Sequence, residues 1–146
     1  LLLYTIGFTQ KTACQFFTIL RDSSVRRLVD IRLNNVSQLA GFAKRDDLAF
    51  FLKELCGAEY SHEPMLAPTS ALLDAYRKQK GGWEEYERGF RALLAERRVE
   101  DKLSPSFFTV PTVLLCSEPS AEHCHRRLVI EHLQQKWRNV EVVHLP

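Results

Sequence analysis

The chain has 146 residues, with 20 Lys and Arg against 18 Asp and Glu, 5 His, 4 Cys and a formal net charge of +2. The length suits one domain rather than two, and an apolar fraction of 45% excludes a disordered chain. The balanced charge lacks the basic excess of a typical nucleic-acid binder and leaves only a local patch for that role. No run approaches the roughly 18 consecutive apolar residues of a membrane span.

Leu1 to Gly7 is a short apolar run closed by glycine, the pattern of a buried strand. It is too short for a secretory signal and has no basic residues ahead of it. Thr9 is placed to cap a helix from about Gln10 to Arg21, with Ala13, Phe16, Phe17 and Leu20 at helical spacing. Arg27 to Ile31 reads as a second strand with its charge near the end, followed by an irregular polar stretch from Arg32 to Lys44. Asp46 or Asp47 then caps a helix carrying Leu48, Phe51, Leu52 and Leu55 on one face, with Gly57 as its C-cap. Glu59 to His62 suits a short strand, and Pro64 and Pro68 break the chain. Thr69 starts another helix, and Gly81-Gly82 separates it from a longer one running from Trp83 to about Lys102. Thr112 to Cys116 is continuous and apolar, as in a strand covered on both faces. Pro119-Ser120 opens a helix from about Ala121 to Lys136, and Val140 to His144 is the last strand.

Strands alternating with helices predict an α/β fold: one three-layer domain over residues 1–146, a mostly parallel sheet flanked by helices. Ligands of such sheets bind beyond the carboxyl ends of the strands. Gly7-Phe8-Thr9, Asp30-Ile31-Arg32 and Ser117-Glu118-Pro119 should therefore share one edge. The cysteines Cys14, Cys56, Cys116 and Cys124 have no C-x-x-C spacing. With no export signal they read as reduced thiols of a cytoplasmic protein.

The densest chemistry runs from Cys116 through Arg127, joining a buried strand to a helix N-terminus that suits anions. At 100° per residue, Val129, Ile130, Leu133 and Trp137 share one face and Arg126 falls in the middle of it. A charge on a core-facing stripe needs a partner, so Arg126 should reach Asp30, Glu118 or a ligand anion. A structural ion pair with Asp30 is the plainer of these readings. Cys124, near the helix start and between His123 and His125, reads either as a nucleophile of lowered pKa or as a small thiol packed on Leu128. Cys116 reads as core. Consecutive helical residues diverge by 100°, so His123, Cys124 and His125 cannot all meet one metal. A metal site would need help from His62 or Glu118, and no ligand set or other cofactor is assigned.

Asp30 and Arg32, two apart at a strand end, can face the same way. Gly7 lets backbone approach a ligand, with Thr9 beside it. No phosphatase loop is present, because the residue six after Cys116 is Glu122. There is no dinucleotide fingerprint and no Walker loop either. The stretch Asn34 to Arg45 suits a nucleotide-stacking loop around Phe42, or an ordinary surface loop.

Three runs together resemble one family. Tyr4-Thr5-Ile6-Gly7-Phe8-Thr9, Val29-Asp30-Ile31-Arg32, and Leu115-Cys116-Ser117-Glu118 through Cys124-His125-Arg126-Arg127 are similar to the domain of unknown function 488 family. The resemblance implies a compact α/β domain whose motifs meet at one site, and it implies no particular reaction. Many members carry Pro and Ser soon after the Asp-x-Arg motif; here Leu33-Asn34-Asn35-Val36-Ser37 lacks the Pro.

The first functional reading is an enzyme, active or degenerate, acting on a phosphate-bearing or nucleic-acid-like ligand. Arg32 and Arg126 hold the anion with Gly7 and Thr9 nearby, Asp30 or Glu118 is the acid/base, and His125 and Cys124 complete the catalytic set. The second is a non-catalytic domain that senses a ligand or nucleic acid. The third is a metal-dependent hydrolase built on Cys124, His125 and Glu118. An anionic small molecule or nucleic acid is the expected partner, no membrane is involved, and no oligomeric state is assigned.

Overall fold

A computed structural model describes residues 1–36, 40–77, 82–118 and 120–146. Five strands form one sheet: β1 (Leu2–Gly7), β2 (Arg27–Asp30), β3 (Glu59–His62), β4 (Thr112–Cys116) and β5 (Glu141–His144). Their order is β3-β2-β4-β1-β5, and every pairing is parallel. The α/β architecture expected from the alternation is therefore present. Among the described residues no helix is long and apolar enough to cross a membrane.

The helices are α1 (Ala13–Asp22), α2 (Arg45–Phe51), α3 (Ser70–Arg77), α4 (Trp83–Arg97), α5 (Val99–Lys102) and α6 (His125–Lys136). A wider turn, Leu52–Cys56, continues α2. Alternation along the strands divides the core into two layers. On one face Ile6, Leu28, Val113 and Leu115 pack with Phe16, Phe17 and Leu20 of α1 and with Leu48 and Leu52. On the other, Leu3, Val29 and Leu114 pack with Tyr86, Phe90 and Leu94 of α4 and with Leu128 to Ile130 and Leu133 of α6. Phe42, partly buried, packs against the first layer, with its ring 5.4 Å from Phe16 and 5.8 Å from Phe17.

Several element ends differ from expectation. Helix α1 is capped by Thr12, not Thr9: Thr12 and Gln15 form a reciprocal capping box, which satisfies two orphan N–H groups at once. Asp46 and Asp47 lie inside the first turn of α2, where their charge complements the helix dipole, and make no cap. The long helix after Trp83 breaks at Arg98, whose left-handed φ of 52° turns the chain so that α5 buries Val99 and the following Leu103 in the core. Helix α6 begins at His125, not Ala121, with Cys124 extended at the N-cap. Pro119, Gly81 and the Ser37-Gln38 part of the polar stretch lie outside the described residues. Thr69 does start α3, its hydroxyl accepting the Leu72 N–H at 3.1 Å, and Gly57 is the left-handed cap expected of it.

An ion network fastens α4 to α6. Arg127 contacts Glu87 at 2.9 Å and Glu131 at 2.7 Å, and Arg91 reaches Glu131 at 2.6 Å. Partial burial pushes the Glu131 carboxyl up, but Arg91 and Arg127 outweigh it and hold the group below its ordinary range. A carboxylate held low in the folded state stabilises above its unfolded pKa and stops doing so as pH falls through its folded one. Glu131→Gln should cost about 1 kcal/mol or less at pH 7, as partly exposed networks do. The difference from the parent should shrink between pH 7 and about pH 3, below the ordinary Glu value. Urea midpoints at the two pH values check this.

Candidate functional site

The carboxyl ends of β1, β2 and β4 lie side by side, with Gly7 opposite Cys116 and Asp30 opposite Leu115. The predicted edge therefore forms, and its residues divide into a frame and a cleft.

Asp30, at the end of β2, is fully buried and heavily bonded. Its carboxylate accepts Arg32 Nε and Nη2, both at 2.8 Å, the Arg32 backbone N–H at 3.1 Å, and the Tyr60 hydroxyl at 2.5 Å. Arg32 also donates to the Ala43 carbonyl at 2.7 Å and lies over the Phe8 ring. Burial, and then the Asp30 carboxylate, push the Tyr60 hydroxyl far up, so it stays a donor. The carboxylate is thus taken up by Arg32 and Tyr60. Tyr60 escapes a sequence reading because its partner sits thirty residues away on the neighbouring strand.

Arg126 is buried, as its place on the apolar stripe requires. Its Nη1 donates to the Glu118 backbone carbonyl at 2.7 Å. That carbonyl and that guanidinium crowd Gly7, where a Cβ would lie 1.6 Å from the Glu118 oxygen and 2.4 Å from Nη1. Thr9 secures the same loop: its N–H donates to the Ser117 carbonyl at 3.1 Å, and its hydroxyl bonds that carbonyl too. Gly7, Thr9, Asp30 and Arg126 do not line the cleft; they shape the loops that do.

The cleft has a volume of about 240 Å³ and is lined by Arg32, Glu118, Cys124 and His125 among the expected residues. Cys116 joins them, although the sequence suggested core. It ends β4, and its Sγ lies 3.3 Å from His125 Nδ1. His125 Nε2 lies 2.7 Å from the Ile31 carbonyl. A carbonyl only accepts, so Nε2 carries a hydrogen, and Nδ1 is the ring nitrogen that faces the sulfur. One side of the cleft is aromatic. Tyr76 of α3 and Trp83 and Tyr86 of α4 lie within 6 Å of one another, and His123 stacks on Trp83 at 5.0 Å and 24°. At the rim Arg77 approaches Glu118 at 3.4 Å.

The two thiols behave as a pair. Burial raises Cys116, but the Cys124 thiol, the His125 ring and the Ser117 N–H outweigh it and hold Cys116 well below the ordinary range. Burial and the neighbouring Cys116 drive Cys124 well up. Burial lowers the His125 ring, yet Cys116 and the Ile31 carbonyl bring it above its ordinary value. Of the two sulfurs, Cys116 is the one that ionises. Cys116, Cys124 and His125 have their ligand atoms all within 4.8 Å of one another. His123 is not among them but stacks on Trp83, and Cys124 meets His125 because it is not helical: its backbone is extended, at φ −141° and ψ 140°.

The family model for the domain of unknown function DUF488 matches residues 12–133. The chain belongs to that family. The matched span holds the Asp30-Ile31-Arg32 run and the whole Cys116–Arg127 segment, while the Tyr4–Thr9 run lies ahead of it. Comparison with curated proteins and with solved structures finds no match. Membership in the DUF488 family thus fixes kinship and leaves the chemistry to be argued from the cleft.

Three substitutions test the frame. In Gly7→Ala the new methyl meets backbone that cannot give way, so the loss should be about 3 kcal/mol or more. A domain of this size loses about 2–4 °C of Tm per kcal/mol, so thermal denaturation should show a fall of ~6 °C or more. Asp30→Ala strands the buried Arg32 cation and should cost about 3–5 kcal/mol. Tyr60→Phe removes one charge-assisted bond and should cost about 1.5–3 kcal/mol, both measured by urea unfolding.

Proposed function

We propose that the cleft is the active site of an enzyme acting on a phosphate-bearing ligand with an aromatic base, a nucleotide or the end of a nucleic-acid strand. The observation that carries this reading is the pairing of an aromatic wall, Trp83 stacked with His123, with the arginines Arg32 and Arg77 around one cleft. A base stacks on aromatic faces with little regard to sequence, and guanidinium groups take phosphate oxygens. At about 240 Å³ the cleft is small among ligand sites, sized for one nucleotide and not for a duplex. The balanced net charge agrees, since recognition is confined to one patch.

Within this reading Arg77 is the accessible phosphate contact, half-exposed at the rim, and Arg32 supplies fixed positive charge deeper in. Glu118, also at the rim, is the acid/base in reach of a bound ligand. His125 and Cys124 stay in the proposed catalytic set and Cys116 enters it, because all three open on the cleft. Gly7, Thr9, Asp30 and Arg126 act as positioning residues through the loop contacts described above. Four free thiols, two of them facing each other in the cleft, suit the reducing cytoplasm.

Trp83 gives the test its signal. Nucleoside monophosphates should quench tryptophan fluorescence saturably, and Arg77→Ala should weaken their binding about tenfold, the equivalent of about 1.4 kcal/mol. Glu118→Gln should abolish turnover of the converted nucleotide, followed by chromatography, while leaving quenching in place. Quenching without turnover across a nucleotide panel would assign the cleft to sensing instead. No quenching by any nucleotide sinks the ligand class.

A further inference from the structure

We infer that Cys116, Cys124 and His125 form a zinc site with one coordination position open to the cleft. Cys116 ends β4, Cys124 is the N-cap of α6 and His125 is its first residue. The strand end and the helix start thus bring two thiols and one imidazole together, with all ligand atoms within 4.8 Å of one another. Zinc–sulfur bonds of about 2.3 Å and zinc–nitrogen bonds of about 2.0–2.1 Å place S and N about 3.5 Å apart in a tetrahedron. The observed separation of Cys116 Sγ from His125 Nδ1 is 3.3 Å, so this pair takes the ion with a shift of a few tenths of an ångström.

The surroundings of the three donors fit the same assignment. Metal-binding histidines usually spend the other ring nitrogen on a carbonyl or carboxylate, which fixes the tautomer. Here Nε2 is spent on the Ile31 carbonyl at 2.7 Å, and the free nitrogen is the one that faces the thiols. The donors are soft, which selects zinc over magnesium, calcium or manganese. The side chains of Cys116, Cys124 and His125 are almost wholly buried, yet all three contribute to the cleft wall. Three protein ligands and one open position is the arrangement of catalytic zinc, whereas structural zinc is closed by four. The sequence candidates His62 and Glu118 are not needed: His62 spends Nε2 on the Arg32 carbonyl and Glu118 faces Arg77.

Cobalt(II) replaces zinc and reports its ligands by colour. The full chain, kept reduced and stripped with a chelator, should take up one equivalent of cobalt. It should develop a thiolate-to-cobalt charge-transfer band with tetrahedral visible bands, and zinc should bleach both. Cys116→Ser, Cys124→Ser and His125→Ala should each weaken cobalt binding by about 100-fold or more, beyond the loss usual for an outer-shell change. Cys14→Ser, at an exposed thiol outside the cleft lining, should leave the spectrum unchanged. Should a variant fail to fold, the parent still decides, because the charge-transfer intensity counts two thiolates per metal or it does not. No charge-transfer band in the parent, or a band in Cys116→Ser with undiminished intensity and affinity, overturns the site. The assignment does not rest on the nucleotide reading, and the two readouts separate them. Cobalt uptake without nucleotide quenching keeps the metal and removes the ligand class, while quenching by a chain that takes no cobalt removes the metal.

Discussion

The rest of the site depends on a tight approach between backbone and a buried cation. The Glu118 carbonyl and the Arg126 guanidinium occupy the space where a side chain at residue 7 would stand. One missing methyl therefore lets the β4–α6 connection fold down over the end of β1. Thr9 fastens that connection from the other side. Since the loop leads from Cys116 to Cys124 and His125, the spacing of the sulfurs and the imidazole depends on a glycine that touches none of them. A polar interior of this kind is costly to desolvate, and removing any one partner leaves a buried charge uncompensated.

The two buried arginines differ in use. Arg126 is spent on the chain itself, anchoring a loop from beneath. Arg32 is held in a fork by Asp30 and still lines the cleft, so its charge is fixed in place before any ligand arrives. Preorganised charge of this sort needs no rearrangement at the moment of binding. The aromatic wall has a comparable anchor, since the ion network between α4 and α6 sets where Trp83 and Tyr86 stand relative to the helix that carries His125.

Local patterns were legible and tertiary ones were not. Thr112 to Cys116 is readable as a strand residue for residue, because the four consecutive apolar side chains after Thr112 suit a doubly covered strand. Arg126 on the apolar stripe is readable too, since a helical wheel needs no knowledge of the rest of the fold. The Thr12 cap was within reach, given Gln15 three positions on, but Thr9 lay nearer the strand and masked it. The start of α6 was read four residues early because Ser120 resembles a cap; the chain instead turns until Cys124. Cys116 looked like core because nothing within its strand distinguishes it. Its role depends on His125 nine residues on, and their contact exists only once α6 packs against the sheet. Tyr60 and Asp30 pose the same problem across neighbouring strands.

The strand order carries a consequence for how the chain assembles. β2 and β3 are neighbours in sequence and in space, but among the described residues β1 pairs only with β4 and β5. During synthesis from the N-terminus, the first strand therefore has no partner until more than a hundred residues have followed it. Its Leu3 and Ile6, both fully buried in the end, must wait exposed through that interval. Non-local parallel pairing closes slowly, and an unpaired apolar strand is an invitation to aggregate. The cleft, framed by the ends of β1, β2 and β4, is thus among the last parts of the molecule to exist.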